Sequence, residues 1–306
     1  MPNKRENSIT FNCNLCNQAN SLSIEDFDRE RPSCRRCSSN VRMRSLIHAL
    51  SVELFGVSLP LSVFPTVKSI RGLGLSDVPS YAELLTQKFD YHNTSYAGSS
   101  HLDITAPPQE EFGKYDFIIA SEIFEHVFPP LEKAFRGAFD LLRPNGLLLL
   151  TVPYSIDAAS IEHYPDMRDL AVAHVGAQTV VVGRNSAGNL EVFENPIFHL
   201  GPDGRALEMR RISESDLCKG LIESGFKEVQ VCRADYEPFG VIHREGCSLP
   251  VVAHKGSFTL GPQSIQEIVE EWAALHKLSR EWAGNRWVRF GAKAGLVDLS
   301  RLNGNK

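Results

Sequence analysis

The apolar positions change period sharply between Tyr115 and Tyr154. Phe117–Ala120 is a short apolar run behind a polar lead-in, which predicts a buried strand. Leu131, Ala134, Phe135, Ala138, Phe139 and Leu142 then recur at the spacing of one helix face. Arg143-Pro144-Asn145-Gly146 reads as a turn, since Pro fixes φ and Asn or Gly tolerates positive φ. Leu147–Val152 is uninterrupted apolar sequence, as expected of a strand covered on both faces. Strand, helix, strand in this order predicts a right-handed crossover within a parallel sheet.

The same patterning extends along the chain. Residues 41–55 predict a helix that joins the N-terminal segment to the main domain. Val67–Arg71 reads as a strand and Gly72-Leu73-Gly74 as a tight turn with little side chain, before a helix that starts near Tyr81. Another strand is expected at Tyr91–Ser95. Residues 179–193 and 197–210 read as two hairpins, the second turning at Pro202-Asp203-Gly204. A helix follows over Ser213–Ser224 with Ser213 as its N-cap, then strands at Phe226–Cys232 and Leu249–Ala253. From Ser264 a last helix carries Ile265, Ile268, Val269, Trp272 and Leu275 on one face, followed by Trp282 and Trp287. That stripe reads as packing or a homodimer contact rather than a cofactor site. Leu302–Lys306 is expected to fray.

Composition narrows the class. The 306 residues are 42% hydrophobic and 23% charged, the balance of an ordinary globular protein. A net charge of −5 gives no general attraction to nucleic acid or anionic membrane. No apolar run approaches the about 18 residues of a membrane span, and the start MPNKRENSIT has no apolar h-region. A cytoplasmic location is the default expectation.

Four of the seven cysteines are ordered as Cys13-x-x-Cys16 and Cys34-x-x-Cys37, seventeen residues apart. Two such knuckles supply four thiolates for tetrahedral zinc. A redox pair would head a helix in a βαβ unit, and nothing upstream of Cys13 supplies one. A closed four-thiolate site is structural, with no open position for chemistry. Arg29, Arg31, Arg35, Arg36, Arg42 and Arg44 crowd this end, interleaved with Glu25, Asp26, Asp28 and Glu30. They read as a solvated face, with phosphate contact as the competing reading.

In open α/β sheets, ligands bind beyond the carboxyl ends of the strands. Ser121, Glu122, Glu125 and His126 follow the first strand directly and fall at that edge. Ser121 and Glu122 are equally able to serve as local caps. The run DFIIASEIFEHV, a helix, and LLRPNGLLLLTVP together resemble the fourth and fifth strands of class I S-adenosylmethionine-dependent methyltransferases. The joint match spans about forty residues; Asn145 stands where the family has Gly.

The resemblance implies an α/β fold: a Rossmann-like, seven-stranded methyltransferase sheet with its last strand antiparallel. To this are added a small N-terminal zinc-binding module and a C-terminal helix. The expected domains are 1–45 (zinc-binding), 46–256 (methyltransferase, with a substrate-covering insert at about 154–212) and 257–306 (helical extension). It also implies that S-adenosylmethionine is held by Gly72, Gly74, Asp77, Asp103, Ile104, Ser121 and Glu122. Asp103 and Ile104 would meet the adenine; Ser121 and Glu122 would line the methionine side. The sequence departs from the family in two places. The acid before the glycines is absent, with Asp77 as its substitute, and Asn93, Thr94 and Ser95 stand where an acid usually holds the ribose. His163 is the candidate base, with His199 and Tyr154 as comparable candidates at the substrate side.

The sequence therefore favours methyl transfer to a small molecule, such as a sugar or nucleotide sugar. An RNA methyltransferase using the zinc module for RNA contact is the alternative within the family. A degenerate methyltransferase fold that serves as an interaction protein is the alternative outside catalysis.

Overall fold

The computed structural model describes residues 8–96, 100–201 and 204–286. Strands β1 (Ser8–Asn12) and β2 (Ala19–Ser23) form an antiparallel pair whose connection carries the first cysteine knuckle. Helix α1 (Val41–Phe55) follows the second knuckle. Asn40 caps it by accepting from the Met43 N–H at 2.9 Å, and Gly56 closes it with a left-handed φ of 69°.

The central sheet is then built in chain order from β3 (Arg71–Leu75), α2 (Pro79–Lys88), β4 (Asp90–Thr94), β5 (Tyr115–Ser121), α3 (Glu132–Leu141) and β6 (Leu142–Thr151). An insert follows, with β7 (Ile161–Glu162), β8 (Met167–Val175), β9 (Gln178–Asn185), β10 (Leu190–Glu194), β11 (Phe198–Gly201), β12 (Gly204–Leu207) and β13 (Arg210–Arg211). Helix α4 (Glu214–Glu223), strands β14 (Glu228–Val231) and β15 (Val251–His254), and helix α5 (Pro262–Gly284) complete the described chain.

The sheet order is β4-β3-β5-β6-β15-β14, parallel from β4 to β6 and antiparallel at β15. The resemblance implied a seven-stranded sheet with its last strand antiparallel; the antiparallel strand is present, and six strands lie among the described residues. The difference lies at Leu102–Thr105. Asp103 Oδ1 accepts from the N–H and hydroxyl of Thr105 at 2.8 and 2.7 Å, and the Ala106 N–H reaches the Asp103 carbonyl. A side chain that captures its own backbone competes with a sheet ladder. Among the described residues, a parallel bridge joins Ser95 and His101 there.

Side-chain alternation splits the core. Ile118, Ala120, Leu148 and Leu150 face α3 and α4. Phe117, Ile119, Leu147 and Leu149 face α1, α2 and the cysteine module. Both faces of β5 and β6 are therefore buried, which explains their continuous apolar runs. Cys13, Leu15 and Cys34 belong to the same apolar cluster as Leu46 and Phe117, so the cysteine module shares its core with the sheet.

Two expected turns are instead strand. Arg143–Gly146 lies within β6, where the register against β5 shifts between Tyr115 and Phe117, and neither Asn145 nor Gly146 adopts positive φ. Gly72-Leu73-Gly74 lies within β3, and the chain turns only at Ser76, whose φ is 56°. The glycine at 72 answers a packing need: a Cβ there would lie 2.3 Å from the Phe117 ring and 2.6 Å from Tyr91.

The two expected hairpins are β9–β10 and β11–β12, the tip of the second lying outside the described residues; β8 adds a third strand to the first. On α5, Ile265, Val269, Trp272 and Leu275 are exposed. The helix is tied to the sheet domain on its other side, where Ser69 Oγ meets Ser264 Oγ at 2.8 Å. Trp287 and Leu302–Lys306 lie outside the described residues. No described helix is long and apolar enough to cross a membrane.

Candidate functional site

The carboxyl ends of β3, β4 and β5 open into a cavity of about 1040 Å³. Parallel strands deliver their loops to one edge, so residues remote in sequence converge there. Asp77, Asp103, Ile104, Ser121 and Glu122 all line it. Gly72 and Gly74 do not: both sit inside β3, and a Cβ on Gly74 would meet the Tyr91 hydroxyl and the Asp77 carboxylate.

Asp77 is buried and accepts hydrogen bonds from the hydroxyls of Tyr81, at 2.6 Å, and Tyr91. Burial pushes its pKa up to about 7, against the pull of both tyrosines and Arg42. Asn93 is consumed by this loop. It accepts from the Asp77 N–H at 2.9 Å and donates to the Asp77 carbonyl at 2.8 Å. Thr94 donates to the Gly74 carbonyl, while Thr94 and Ser95 line the cavity.

The turn bearing Asp103 and Ile104 is held from behind by α3. A Cβ at Gly137 would lie 1.8 Å from the Ile104 carbonyl oxygen, so only glycine lets the helix approach this closely. Both side-chain contacts of Asp103 fall on Oδ1.

At the end of β5, Ser121 Oγ accepts from Arg42 Nη1 at 2.5 Å and meets Thr151 Oγ1 at 2.9 Å. Glu122 takes a φ of 59°, which turns its carboxylate toward the cysteine module. There Arg29 donates to it through Nη2 at 2.5 Å and Nη1 at 3.1 Å. Arg42 Nε donates to Glu30 at 2.8 Å and lies 3.8 Å from Glu122. Burial pushes the Glu122 carboxyl up, but Arg29 and Arg42 outweigh it and hold it below its ordinary value.

Three basic residues thus depart from the expected solvated face. Arg29 and Arg42 are drawn inward by Glu122 and Glu30, and Arg44 is fully buried. Sequence reading lacked any local signal for this, because the partner carboxylate lies 93 residues from Arg29.

The Arg44 guanidinium donates to the carbonyls of Ser39 and Gly240, each at 2.9 Å. No carboxylate pairs with it among the described ion pairs. Burial lowers its pKa to about 10, and the charges of Cys13, Cys34 and Cys37 resist that fall. The four sulfurs of Cys13, Cys16, Cys34 and Cys37 lie within 4.8 Å of one another. Two of the separations are 3.6 and 3.5 Å, close to the about 3.8 Å edge of a tetrahedron with zinc–sulfur bonds of about 2.3 Å. Cys37 and burial hold the Cys13 thiol well above its ordinary range, so four thiolates cannot coexist here unless a cation neutralises them. The donor set fits zinc, and Arg44 fits as the buried countercharge to an anionic four-thiolate centre.

The rest of the cavity is apolar, with Ile123, Phe128, Phe198 and Met209, and carries His126, His199 and Arg205. From the insert, Leu170, Phe198, His199, Arg205, Leu207 and Met209 line it. His163 is not among the lining residues. Its Nε2 lies 2.7 Å from Glu208 Oε1, and Glu208 Oε2 lies 2.6 Å from His199 Nε2, so His163 stands one carboxylate behind His199. Tyr154 is buried and also off the cavity.

Residues 65–182 match a family model described as a methyltransferase domain. No curated protein sequence matches the chain. Among solved structures, a 1,6-didemethyltoxoflavin-N1-methyltransferase of Burkholderia thailandensis, with bound 1,6-didemethyltoxoflavin and S-adenosylhomocysteine, is 14% identical with a TM-score of 0.35. That match covers 62% of this chain and 72% of that one. A sugar N-methyltransferase from Streptoalloteichus sp ATCC 53650 is 10% identical with a TM-score of 0.41, covering 72% of this chain and 89% of that one. An S-adenosylmethionine-dependent methyltransferase from Clostridium acetobutylicum ATCC 824 is 12% identical with a TM-score of 0.35, covering 61% and 84%.

Proposed function

We propose that this chain, whose residues 65–182 match a methyltransferase domain, transfers the methyl group of S-adenosylmethionine to a small-molecule acceptor. One observation carries the reading. Asp77, Asp103, Ile104, Ser121 and Glu122, which come from three separate loops, line a single cavity at the carboxyl edge of a parallel sheet.

The donor set suits the cofactor. S-adenosylmethionine carries a carboxylate, an ammonium and an adenine amino group. Arg29 and Arg42 offer charge to the first, Glu122 to the second, and Asp103 an acceptor to the third, with Ile104 as an apolar wall. Ser95 serves the ribose without a charge-assisted bond, which predicts weaker cofactor affinity than an acid there would give. When bound, the cofactor supplies a methyl group on a positively charged sulfur that already bears its leaving group. The chain's own task is alignment, exclusion of water by the insert, and acceptance of a proton where the acceptor carries one. His199, oriented by Glu208, is the proton acceptor best placed at the cavity wall; His163 supports it through the same carboxylate. Zinc bound by Cys13, Cys16, Cys34 and Cys37 fixes the segment that carries Arg29 and Arg42.

The net charge of −5 supports a small acceptor over nucleic acid. The test is calorimetric titration of the zinc-replete protein with S-adenosylmethionine and S-adenosylhomocysteine. Micromolar binding, weakened at least tenfold by Asp103→Ala, is expected. No binding by folded protein would overturn the enzyme reading and favour a non-catalytic scaffold.

A further inference from the structure

The short helical turn Phe124–His126 after β5 buries a carboxylate that the reading above does not use. Glu125 is fully buried, and neither of its carboxylate oxygens has a hydrogen-bond partner. Its Oε1 faces His126 Nε2 at 3.6 Å and His199 Nδ1 at 3.9 Å, both too long for hydrogen bonds.

Each imidazole is pinned on its far side. His126 Nδ1 lies 2.8 Å from the Leu207 carbonyl oxygen, which only accepts, so Nδ1 carries the hydrogen and Nε2 presents a lone pair. His199 Nε2 lies 2.6 Å from Glu208 Oε2, so its hydrogen points there and Nδ1 presents a lone pair. Glu208 is itself steadied by His163. Three acceptors therefore face one another within 4.8 Å. Buried acceptors in this arrangement need positive charge between them, from a proton or a metal ion.

We propose that Glu125, His126 and His199 form a second metal site that takes a divalent transition-metal ion, distinct from the four-cysteine site. Two imidazoles and one carboxylate are the donor set of zinc, manganese, cobalt and ferrous iron. With bonds of about 2.1 Å, a tetrahedral site has ligand edges of about 3.4 Å, so the separations of Glu125 from His126 and His199, 3.6 and 3.9 Å, need to contract by only a few tenths of an ångström. The far-side bonds to a carbonyl and a carboxylate are the outer-shell contacts that orient metal-binding histidines. His126 and His199 line the cavity while Glu125 lies beneath it, so the remaining coordination positions open toward the acceptor. In the proposed methyl transfer, on which this role rests, a bound ion would make His199 a ligand in place of the base, and a hydroxyl or enol oxygen of the acceptor would bind the ion and lose its proton to solvent more readily.

The test counts metal. Protein equilibrated with Zn2+ or Co2+ and freed of excess is measured by elemental analysis, while thiolate-to-cobalt absorption reports the cysteine site separately. Two ions per wild-type chain are expected, falling to one in Glu125→Gln and in His199→Ala with the thiolate band intact. One ion per wild-type chain at saturating metal overturns the proposal, whatever the variants do. So does a second ion that survives both substitutions. Titration with S-adenosylmethionine on the same samples separates the readings. Cofactor binding without a second ion sinks only the metal site. A second ion without cofactor binding leaves the metal site standing and sinks the methyl-transfer reading.

Discussion

Arg29 Nη2 and Glu122 Oε1 meet at 2.5 Å, joining the cysteine-bearing segment to the carboxyl end of β5. The pair is partly exposed, with side-chain accessibilities of 18% and 22%. Its loss is therefore expected to cost about 1–3 kcal/mol, below the figure for a fully buried pair. Arg29→Ala should lower the urea midpoint accordingly and weaken S-adenosylmethionine binding about tenfold. In a double-mutant cycle with Glu122→Gln, a coupling energy near zero would show that the pair does not act as a unit.

Metal removal should travel along the same connection. Arg44 is buried and would have zinc-bound thiolates as its countercharge, and the cysteine module shares its core with Phe117 and Leu149. Stripping the cysteines with a mercurial and a chelator is expected to lower the melting temperature by at least about 10 °C, since structural zinc contributes folding free energy directly. Cofactor binding should fall with it. Arg44→Met, which removes the buried charge, should weaken zinc retention without touching a ligand; unchanged retention would remove Arg44 from the electrostatic account.

Two glycines should separate packing from the site. Gly72→Ala places a methyl group against the Phe117 ring, and about 1–3 kcal/mol of destabilisation is expected, with cofactor affinity unchanged in the folded fraction. Gly137→Ala pushes α3 against the Ile104 carbonyl and should displace the Asp103–Ile104 turn. Its loss of affinity should exceed what its loss of stability explains. Equal affinity losses in the two variants would contradict the assignment.

Asp77 should give the protein a pH signature. Its folded pKa, pushed up to about 7 by burial, lies above the about 3.9 of an unfolded chain. Between these values the folded state binds the extra proton, so this group's effect is a fall in stability as pH rises from about 4 to about 7, then a plateau. The full difference is of order 4 kcal/mol. Asp77→Asn, which keeps an acceptor for Tyr81 or Tyr91, should flatten that slope in melting curves taken across pH 4–8. A slope unchanged by the substitution would place the titrating group elsewhere.

The sequence alone determined the β5–α3–β6 unit and its ligand edge, because these elements announce themselves through local periodicity, and a parallel strand end places Ser121 and Glu122 there. It likewise determined the four cysteines, whose spacing within each knuckle is itself the geometric requirement. Tertiary structure decided what depends on a partner distant in the chain. Gly72 reads locally as a turn, and only the Phe117 ring behind it makes it a packing glycine inside a strand. Arg29 and Arg42 read as solvated until Glu122 stands beside them. His163 and His199 were indistinguishable as lone histidines until Glu208 set one at the cavity and the other behind it. Periodicity and spacing record what a residue does to its neighbours in sequence; charge pairing, close approach and burial record what the fold brings to it from elsewhere.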